Sequence, residues 1–385
     1  MSSKTRTVDI LKICQILVIK IGTALVTQSD GSGVRQDWLD ALAEDVKSLR
    51  ERGIQVVIVT SGAVALGRKA LHIDMNTPPA AIPLEKKQAA SAVGQYHLFH
   101  AYHQSFAHQG LELAQVLLTM SETENWRMHL NARATLGALM AQGIVPVINE
   151  NDTISTGEIR FGDNDRLAAR VAQMIDADSV LLLSTTDGLY TDHPGHNPEA
   201  VHIPLVEKIT TEHVKMAGDA VPGLSTGGMK SKVEAAQAAT STGIHLIIAD
   251  GLEKHVLRDV FEDFKTRTTV FLAQKSTKTA KKRWMSAHLR PKGTYVLDKG
   301  ASKALKNGKS LLPVGVMALE GHFERGDVIE IKHSNGDRLG MGLSAYSSDD
   351  AQKIIGKSSD EIPSILGYAG RSELIHRNDM VLQDA

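Results

Sequence analysis

The sequence is short of cysteine, since Cys14 is the only one among its 385 residues. A lone cysteine excludes a disulfide within the chain and any zinc site built on cysteine ligands. Cys14 lies in the apolar stretch from Ile13 to Ile21, whereas a reactive thiol needs an electropositive and partly exposed setting. We therefore expect Cys14 to be a small buried residue without a catalytic role.

Long apolar runs and an excess of one charge are also missing. No window approaches the roughly 18 uninterrupted apolar residues of a membrane-spanning helix. The N-terminal segment has charged residues inside its apolar stretch and no small-residue cleavage site after it, so it is a poor signal peptide. The formal net charge of -1 draws the chain to neither nucleic acid nor anionic lipid. We expect a soluble, cytoplasmic protein without membrane contact, in which any anion site is built locally.

What the sequence does contain is an alternation of short apolar runs and amphipathic stretches of helix length. The predicted strands are Ile16–Ile19, Ile54–Val59, Leu111–Leu118, Ile144–Ile148, Val180–Leu183 and Ile244–Ile248. The predicted helices are Asp37–Arg52, a helix from a capping box at Ser121 and Glu124 to Gly143, Asp165–Met174 and Lys232–Thr240. This alternation predicts an α/β three-layer sandwich with a mostly parallel sheet. Ligands of such sheets bind at the carboxyl ends of the strands.

The character of the chain changes after about Leu272. Lys275–Arg283 is basic and polar, which is typical of an exposed linker, and short β-like pieces separated by glycine follow it. These pieces are Thr294–Leu297, Leu311–Val316, Asp327–Ile331 and Leu339–Leu343. Asn335-Gly336 between two alternating runs predicts a hairpin. We expect a first domain at residues 1–272, a linker at 273–283, a small β-rich domain at 284–367 and a C-terminal tail at 368–385. The polar stretch Arg371–Ala385 within that tail is expected to be loosely held.

Two glycine-containing clusters follow the first two predicted strands. In the first, Lys20 faces the expected ligand crevice, and Gly22 lets backbone N–H groups approach an anion closely. In the second, Thr60-Ser61-Gly62 turns a strand into a helix, whose N–H groups and dipole favour a carboxylate or a phosphate. The alternative to an anion site is a solvent-exposed Lys20 in the first cluster and a simple helix N-cap at Ser61 in the second.

Two further clusters are rich in amide and carboxylate side chains. Asn149-Glu150-Asn151-Asp152 follows a strand, and its side chains could hold the ammonium and the carboxylate of an amino acid. Gly162-Asp163-Asn164-Asp165 opens a helix, where an aspartate is either a cap or a group that positions lysines or a cation.

The segment Ser225–Lys232 (STGGMKSK) is a glycine loop that leads into a helix. It differs from a P-loop because Met229 precedes Lys230, but glycine loops at helix starts bind phosphates. Lys230 and Lys232 are two positions apart and cannot share a helix face, so only one is expected to reach a transferred group. Ser184–Tyr190 (STTDGLY) follows a strand and suits nucleotide contacts. The histidines show no metal-ligand spacing, so we predict no protein metal site.

Taken in order, the motifs VIKIGTALVT, VIVTSGAVALGR, VPVINENDT, RFGDND, STTDGLYT and STGGMKSK resemble the glutamate 5-kinases of the amino acid kinase family. The resemblance runs from about residue 13 to about residue 272. Residues 283–367 resemble a PUA domain through GASKALKNGKSLLPVGV, GHFERGDVIEI and LGYAG. The resemblance implies the amino acid kinase fold, ATP with Mg²⁺, and L-glutamate as the acceptor in the first committed step to proline. It also implies a homo-oligomer (dimer or tetramer) and feedback inhibition by L-proline.

The resemblance also assigns residues to roles. The catalytic positions are Lys20, Asp165 and Lys232, and the glutamate-binding positions are Ser61, Asp152 and Asn164. The ATP-binding positions are Lys20, Gly22, Thr23, Ser184, Thr185, Thr226, Gly227, Gly228, Met229, Lys230, Ser231 and Lys232. Two departures stand out: Ala24 replaces a frequent Ser or Thr, and Ser184-Thr185 replaces a frequent Ser/Thr-Asp pair, which leaves the role of Thr185 open.

Other readings remain open at this point. Within the family, the acceptor could instead be N-acetylglutamate, aspartate, carbamate or UMP, although aspartokinases usually read KFGG where this chain reads KIGT. Because PUA domains often bind RNA, the chain could also be an RNA-binding protein, but its near-neutral charge argues against this. For the second domain, a role that only modulates oligomerisation or feedback is favoured over RNA binding.

Overall fold

A computed structural model of the protein describes residues 3–28, 30–31, 33–120, 123, 126–154, 163–218, 228–263, 266–274 and 291–382. These residues form two compact units, and residues 126–130 and 291–382 lie in the second of them. Among the described residues, no helix combines the length and the apolar character needed to cross a bilayer.

The first unit is built on an eight-stranded sheet. Its strands are β1 (Ile16–Ile21), β2 (Gln55–Val59), β3 (Leu113–Leu118), β4 (Val145–Glu150), β5 (Ser179–Ser184), β8 (Leu205–Val206), β9 (His245–Asp250) and β10 (Thr268–Phe271). The order is β3-β4-β2-β1-β5-β9-β10-β8, and only the β9–β10 pair is antiparallel. A separate two-stranded ribbon joins β6 (Leu189–Tyr190) and β7 (His202–Ile203). The predicted mostly parallel sheet is confirmed.

Helices cover both faces of this sheet. They are α1 (Ser3–Lys12), α2 (Thr23–Val26), α3 (Gln36–Glu51), α4 (Ala63–Gly67), α5 (Leu84–His108), α6 (Trp126–Ala141), α7 (Asp163–Met174), α8 (Thr211–Met216), α9 (Met229–Ser241) and α10 (Val256–Arg258). The predicted start of α6 at a capping box lies outside the described residues. The longest helix, α5, was not predicted, because small and polar residues interrupt its apolar pattern.

Strand β1 determines on which face of the sheet the Lys20 side chain lies. Leu17, Ile19 and Ile21 pack into the core on one face of the sheet, and Val18 packs into the core on the other face. Because side chains alternate along a strand, Lys20 shares the face of Val18, which is the face that α7 and α9 cover. The chain places β2 and β4 on one side of β1 and β5 and β9 on the other. Such a switch in strand order opens a crevice at the carboxyl ends of the central strands.

The second unit holds a five-stranded sheet in the order β12-β11-β13-β14-β15. Its strands are β11 (Gly293–Leu297), β12 (Val316–Gly321), β13 (Val328–His333), β14 (Arg338–Leu343) and β15 (Met380–Leu382), and its helices are α11 (Lys299–Lys306), α12 (Ser348–Ile354) and α13 (Ile362–Leu366). The predicted hairpin is confirmed, since β13 and β14 are antiparallel and Gly336 at the turn has a φ of +91°.

Two predictions for this unit are wrong. The segment Leu311–Val316 is not a strand, because a 3₁₀ turn at Pro313–Gly315 interrupts it and β12 begins only at its last residue. Residues 374–382 are not loosely held, because Leu374 and Ile375 are fully buried and β15 pairs with β14. Most of the predicted linker lies outside the described residues, and the domain limits stay predictions.

Candidate active site

A buried aspartate lies between two lysines at the carboxyl edge of the large sheet. The Lys20 Nζ atom is 2.6 Å from Asp165 Oδ1, and the Lys232 Nζ atom is 3.1 Å from Asp165 Oδ2. Lys20 and Lys232 are 7% and 6% exposed, and Asp165 is fully buried. The three residues come from β1, α7 and α9, so the structure brings together the residues predicted to be catalytic.

The starts of two helices place the carboxylate and the second lysine. Asp165 lies in the first turn of α7, and Lys232 follows the first turn of α9. The Ser231 hydroxyl lies 2.8 Å from Asp165 Oδ2, to which it donates, and 3.0 Å from the Gly228 carbonyl oxygen. One carboxylate therefore ties the glycine-rich start of α9 to the start of α7.

Burial and the neighbouring charges together shift the pKa values of Asp165 and Lys20. Burial alone would raise the pKa of the Asp165 carboxyl, but the adjacent Lys20 and Lys232 ammonium groups hold it at about 2. Burial lowers the pKa of Lys20 below its ordinary value, and the Asp165 carboxylate opposes that fall. Two ammonium groups against one carboxylate leave an excess of positive charge, which suits a bound polyanion.

The low pKa of Asp165 gives a testable pH dependence. Its folded-state pKa of about 2 lies below the ordinary value of 3.8, so ionised Asp165 stabilises the fold above that ordinary value, and the stabilisation is lost as pH falls through about 2. The wild type should have a higher free energy of unfolding than Asp165→Asn. This difference should be constant near neutral pH and should become smaller below about pH 4. Urea unfolding at a series of pH values measures this difference; a difference that stays constant under acid conditions would contradict the assignment.

An amide network adjoins the triad because Asn164 precedes Asp165 in the first turn of α7. The Asn164 Nδ2 atom lies 2.6 Å from the Thr60 carbonyl oxygen, 2.9 Å from Ser61 Oγ and 3.0 Å from Asn149 Oδ1. Two residues predicted to bind glutamate, Ser61 and Asn164, therefore touch each other. Gly62, with a φ of +113°, allows the tight turn that presents Ser61.

The third residue predicted to bind glutamate, Asp152, lies in the first unit and is buried. Asp152 follows β4, is 7% exposed, and accepts a hydrogen bond of 2.7 Å from the Ser91 hydroxyl of α5. A buried carboxylate is well suited to bind an ammonium group.

The predicted nucleotide positions fall into three groups. Gly22 lies beside the triad, since a Cβ atom there would be 4.0 Å from Lys20 Nζ, and Thr23 begins α2. Ser184 ends β5 and Thr185 is exposed next to it, at the same edge of the sheet. In α9, Lys230 is exposed while Lys232 is buried, as expected of lysines two positions apart. Thr226 and Gly227 lie outside the described residues.

Sequence patterns did not identify the side chains of α5 that support this site. The Gln95 Oε1 atom accepts a hydrogen bond of 2.7 Å from Asn149 Nδ2, and Tyr102 lies 2.9 Å from the Thr60 hydroxyl. Ser91, Gln95 and Tyr102 are all buried. Polar residues four apart within a run of small residues were the available signal, but that signal does not say what they contact.

Comparison with known proteins shows the family. Residues 15–250 match the model of the amino acid kinase family. The chain belongs to this family. Residues 293–366 match the PUA domain, so the kinase domain is followed by a PUA domain, as predicted.

Relatives in this family match almost the whole chain. A glutamate 5-kinase of Paramagnetospirillum magneticum is 47% identical over 95% of this chain and 97% of its own length. Those of Cereibacter sphaeroides and Rhodopseudomonas palustris are 50% and 48% identical, over 95% and 96% of this chain and 96% of each relative.

Proposed function

We propose that this kinase transfers the γ-phosphoryl group of ATP to the γ-carboxylate of L-glutamate. The products are ADP and L-glutamyl 5-phosphate, and the reaction is the first step of proline biosynthesis. The observation that carries the proposal is the Lys20–Asp165–Lys232 triad at the crevice of an amino acid kinase fold. The relatives named glutamate 5-kinase support the choice of acceptor.

The chemistry requires charge neutralisation rather than a general base. The γ-carboxylate is already a nucleophile at neutral pH, and the difficulty is the approach of an anion to a polyanion. Lys20 and Lys232 neutralise charge on the transferred phosphoryl group, while Asp165 holds both ammonium groups in one place. Backbone N–H groups near Gly22 and Gly228 supply fixed dipoles at the same edge.

The amide network and Asp152 provide the acceptor-binding site. Asp152 is a buried carboxylate that pairs with the α-ammonium group of glutamate. The Ser61 hydroxyl accepts a hydrogen bond from Asn164, so its own proton can be donated to a substrate carboxylate. Because Asn164 and Asp165 are consecutive, acceptor binding and phosphoryl stabilisation share one turn of α7.

Mg²⁺ fits this proposal as part of the nucleotide substrate. Among the residues that the structure describes, no group of three histidines, cysteines or carboxylates could hold a metal ion, and Asp165 is already paired with two lysines. In this proposal Mg²⁺ arrives on the phosphate oxygens of ATP. Feedback by L-proline, a dimeric or tetrameric assembly and RNA binding by the PUA domain stay predictions.

Changing the acceptor site tests the proposal. Asp152→Asn removes the negative charge but keeps the shape, so the KM for glutamate should rise by roughly 10–100-fold, as expected for a lost charged hydrogen bond. The KM for ATP should stay unchanged. ADP release, measured with glutamate and then with N-acetylglutamate, aspartate, carbamate and UMP, checks both expectations.

The matched control is Asp9→Asn, which changes an exposed aspartate of α1 and should leave both constants unaltered. An equal rise of both KM values in Asp152→Asn would remove Asp152 from the acceptor site. Wild-type turnover with another acceptor, and none with glutamate, would overturn the proposed function itself.

A further inference from the structure

Helix α5 carries a polar stripe on its buried side. Ser91, Gln95 and Tyr102 are four and seven positions apart, which places them within about 40° of one another around a helix of 3.6 residues per turn. Two of these side chains contact the segment at the end of β4, and the third contacts the segment after β2, at the carboxyl edge of the sheet. The contacts are Ser91 with Asp152, Gln95 with Asn149 and Tyr102 with Thr60.

Close packing holds this stripe against the site. Gly94, next to Gln95, lies where α5 crosses α4, and a Cβ atom there would come within 1.8 Å of the Ala63 carbonyl oxygen. Only glycine permits that approach. The backbone of α5 is therefore fixed against the turn that presents Ser61, and the position of Gln95 is fixed with it.

The hydrogen bonds around Asn164 determine how its carboxamide is oriented. The Thr60 carbonyl oxygen only accepts hydrogen bonds, so the atom 2.6 Å from it must be the Asn164 nitrogen. The same nitrogen faces Asn149 Oδ1, which also accepts from the Glu150 N–H. With its nitrogen committed to protein acceptors, Asn164 offers a ligand its carbonyl oxygen, which suits an ammonium donor.

Gln95 helps to fix the orientation of Asn149 in turn, together with the Glu150 backbone N–H. The Gln95 Oε1 atom accepts from Asn149 Nδ2 and the Glu150 N–H donates to Asn149 Oδ1, so Asn149 directs its oxygen, rather than its nitrogen, towards Asn164. A reversed Asn149 would bring its NH₂ group against that of Asn164, placing two donors in contact. To avoid this repulsion, the Asn164 side chain would have to give up its hydrogen bond to the Thr60 carbonyl oxygen or rotate so that its NH₂ group faces the substrate.

We propose that Gln95 is a positioning residue for the acceptor-binding site: through Asn149 it holds the Asn164 oxygen towards the ammonium group of the acceptor. This inference rests on the proposed function, because it takes an amino acid as the acceptor. It assigns Gln95 no contact with ATP or with the transferred phosphoryl group. Its removal is therefore expected to affect binding of the acceptor and not binding of the nucleotide.

The test compares KM values in variants of the full chain. Gln95→Met keeps the length of the side chain and removes its oxygen, so the KM for glutamate should rise about tenfold, or about 1.4 kcal/mol, the cost of leaving a buried donor unpaired. The KM for ATP should stay unchanged and kcat should stay within about threefold, because Gln95 does not contact the transferred phosphoryl group in this proposal. Gln95→Glu keeps an oxygen acceptor at the same reach and should recover most of the loss. Gln104→Met, at an exposed position of α5, is the matched control.

A second comparison separates positioning from general structural damage. If Gln95 acts through Asn149, the variant with both Gln95→Met and Asn149→Ala should be no worse for glutamate than Asn149→Ala alone. Additive effects, an equal rise of both KM values, or an unchanged glutamate KM in Gln95→Met would each overturn the inference. If Gln95→Met does not fold, Gln95→Asn, whose oxygen is one methylene short, takes its place in the same comparison.

Failure of the proposed function can be told apart from failure of this inference. Wild type that does not use glutamate would overturn the function, whereas a glutamate-active wild type with a normal Gln95→Met would overturn only the positioning role. A crystal structure of Gln95→Met decides the inference without any acceptor. Departure of Asn164 from the Thr60 carbonyl or from Asn149 supports it, and unchanged distances at both contacts overturn it.

Discussion

Lys232→Met is expected to lower kcat by about 10²–10³-fold, the usual loss when one preorganised donor to a transition-state charge is removed. Methionine keeps much of the apolar stem of the buried lysine but has no ammonium group. Asp165 keeps Lys20 as its partner at 2.6 Å, so the fold should survive. Single-turnover measurement of ADP formation at saturating glutamate and ATP reports the chemical step.

Lys47→Met is the control for that substitution, because Lys47 is exposed on α3 and has no place in the proposed site. Its kcat should equal that of the wild type. Lys232→Arg keeps the charge but changes the shape of the donor, so its kcat should lie between those of Lys47→Met and Lys232→Met. If kcat is unchanged in a folded Lys232→Met, phosphoryl stabilisation by Lys232 is refuted.

Asp165→Asn is expected to lower the free energy of unfolding by about 3–5 kcal/mol, the typical cost of removing one partner from a buried ion pair. The substitution leaves two buried ammonium groups near one another with no carboxylate between them. The kcat of the folded fraction should fall as well, since nothing then holds both lysines in one place. Urea unfolding near neutral pH measures the stability, and initial rates corrected for the folded fraction measure the activity.

Asp176→Asn is the matched control for the loss of an ion pair. Asp176 pairs with Arg133 near the surface, where such pairs contribute about 0–1 kcal/mol. Its φ of +54° is a conformation that asparagine also adopts readily. Asp176→Asn should therefore lower the free energy of unfolding far less than Asp165→Asn does. An equal decrease in the two variants would show that the triad contributes no more to stability than a surface ion pair.

Much of the fold was predictable from local patterns. Alternating apolar runs and amphipathic helices indicate a parallel sheet, and parallel strands bring their polar ends to one edge. That reasoning placed Lys20 at the predicted crevice, whereas the grouping of Lys20 with Asp165 and Lys232 followed from the resemblance to the amino acid kinase family. It failed for α5, whose buried face mixes glycine, serine, glutamine and tyrosine and therefore has no clear apolar stripe.

The end of the chain shows the same division between local pattern and tertiary context. A polar composition predicted a loose tail, yet Leu374 and Ile375 are buried and β15 forms an edge of the second sheet. A strand of three residues is too short to show the alternation of apolar and polar residues that predicts a β-strand. The hydrogen bonds to β14 decide their conformation, and those bonds depend on a partner about 40 positions earlier.

Local sequence patterns predicted most strands of the large sheet and the polar residue types at their ends, because both follow from the spacing of apolar and polar residues along a short stretch. Only the tertiary structure decided which polar groups meet. Asp165 and Lys232 are 67 positions apart, and Gln95 and Asn149 are 54 apart. A hydrogen bond between such residues has no local signature, since its geometry is set by the packing of α5, α7 and α9 on the sheet.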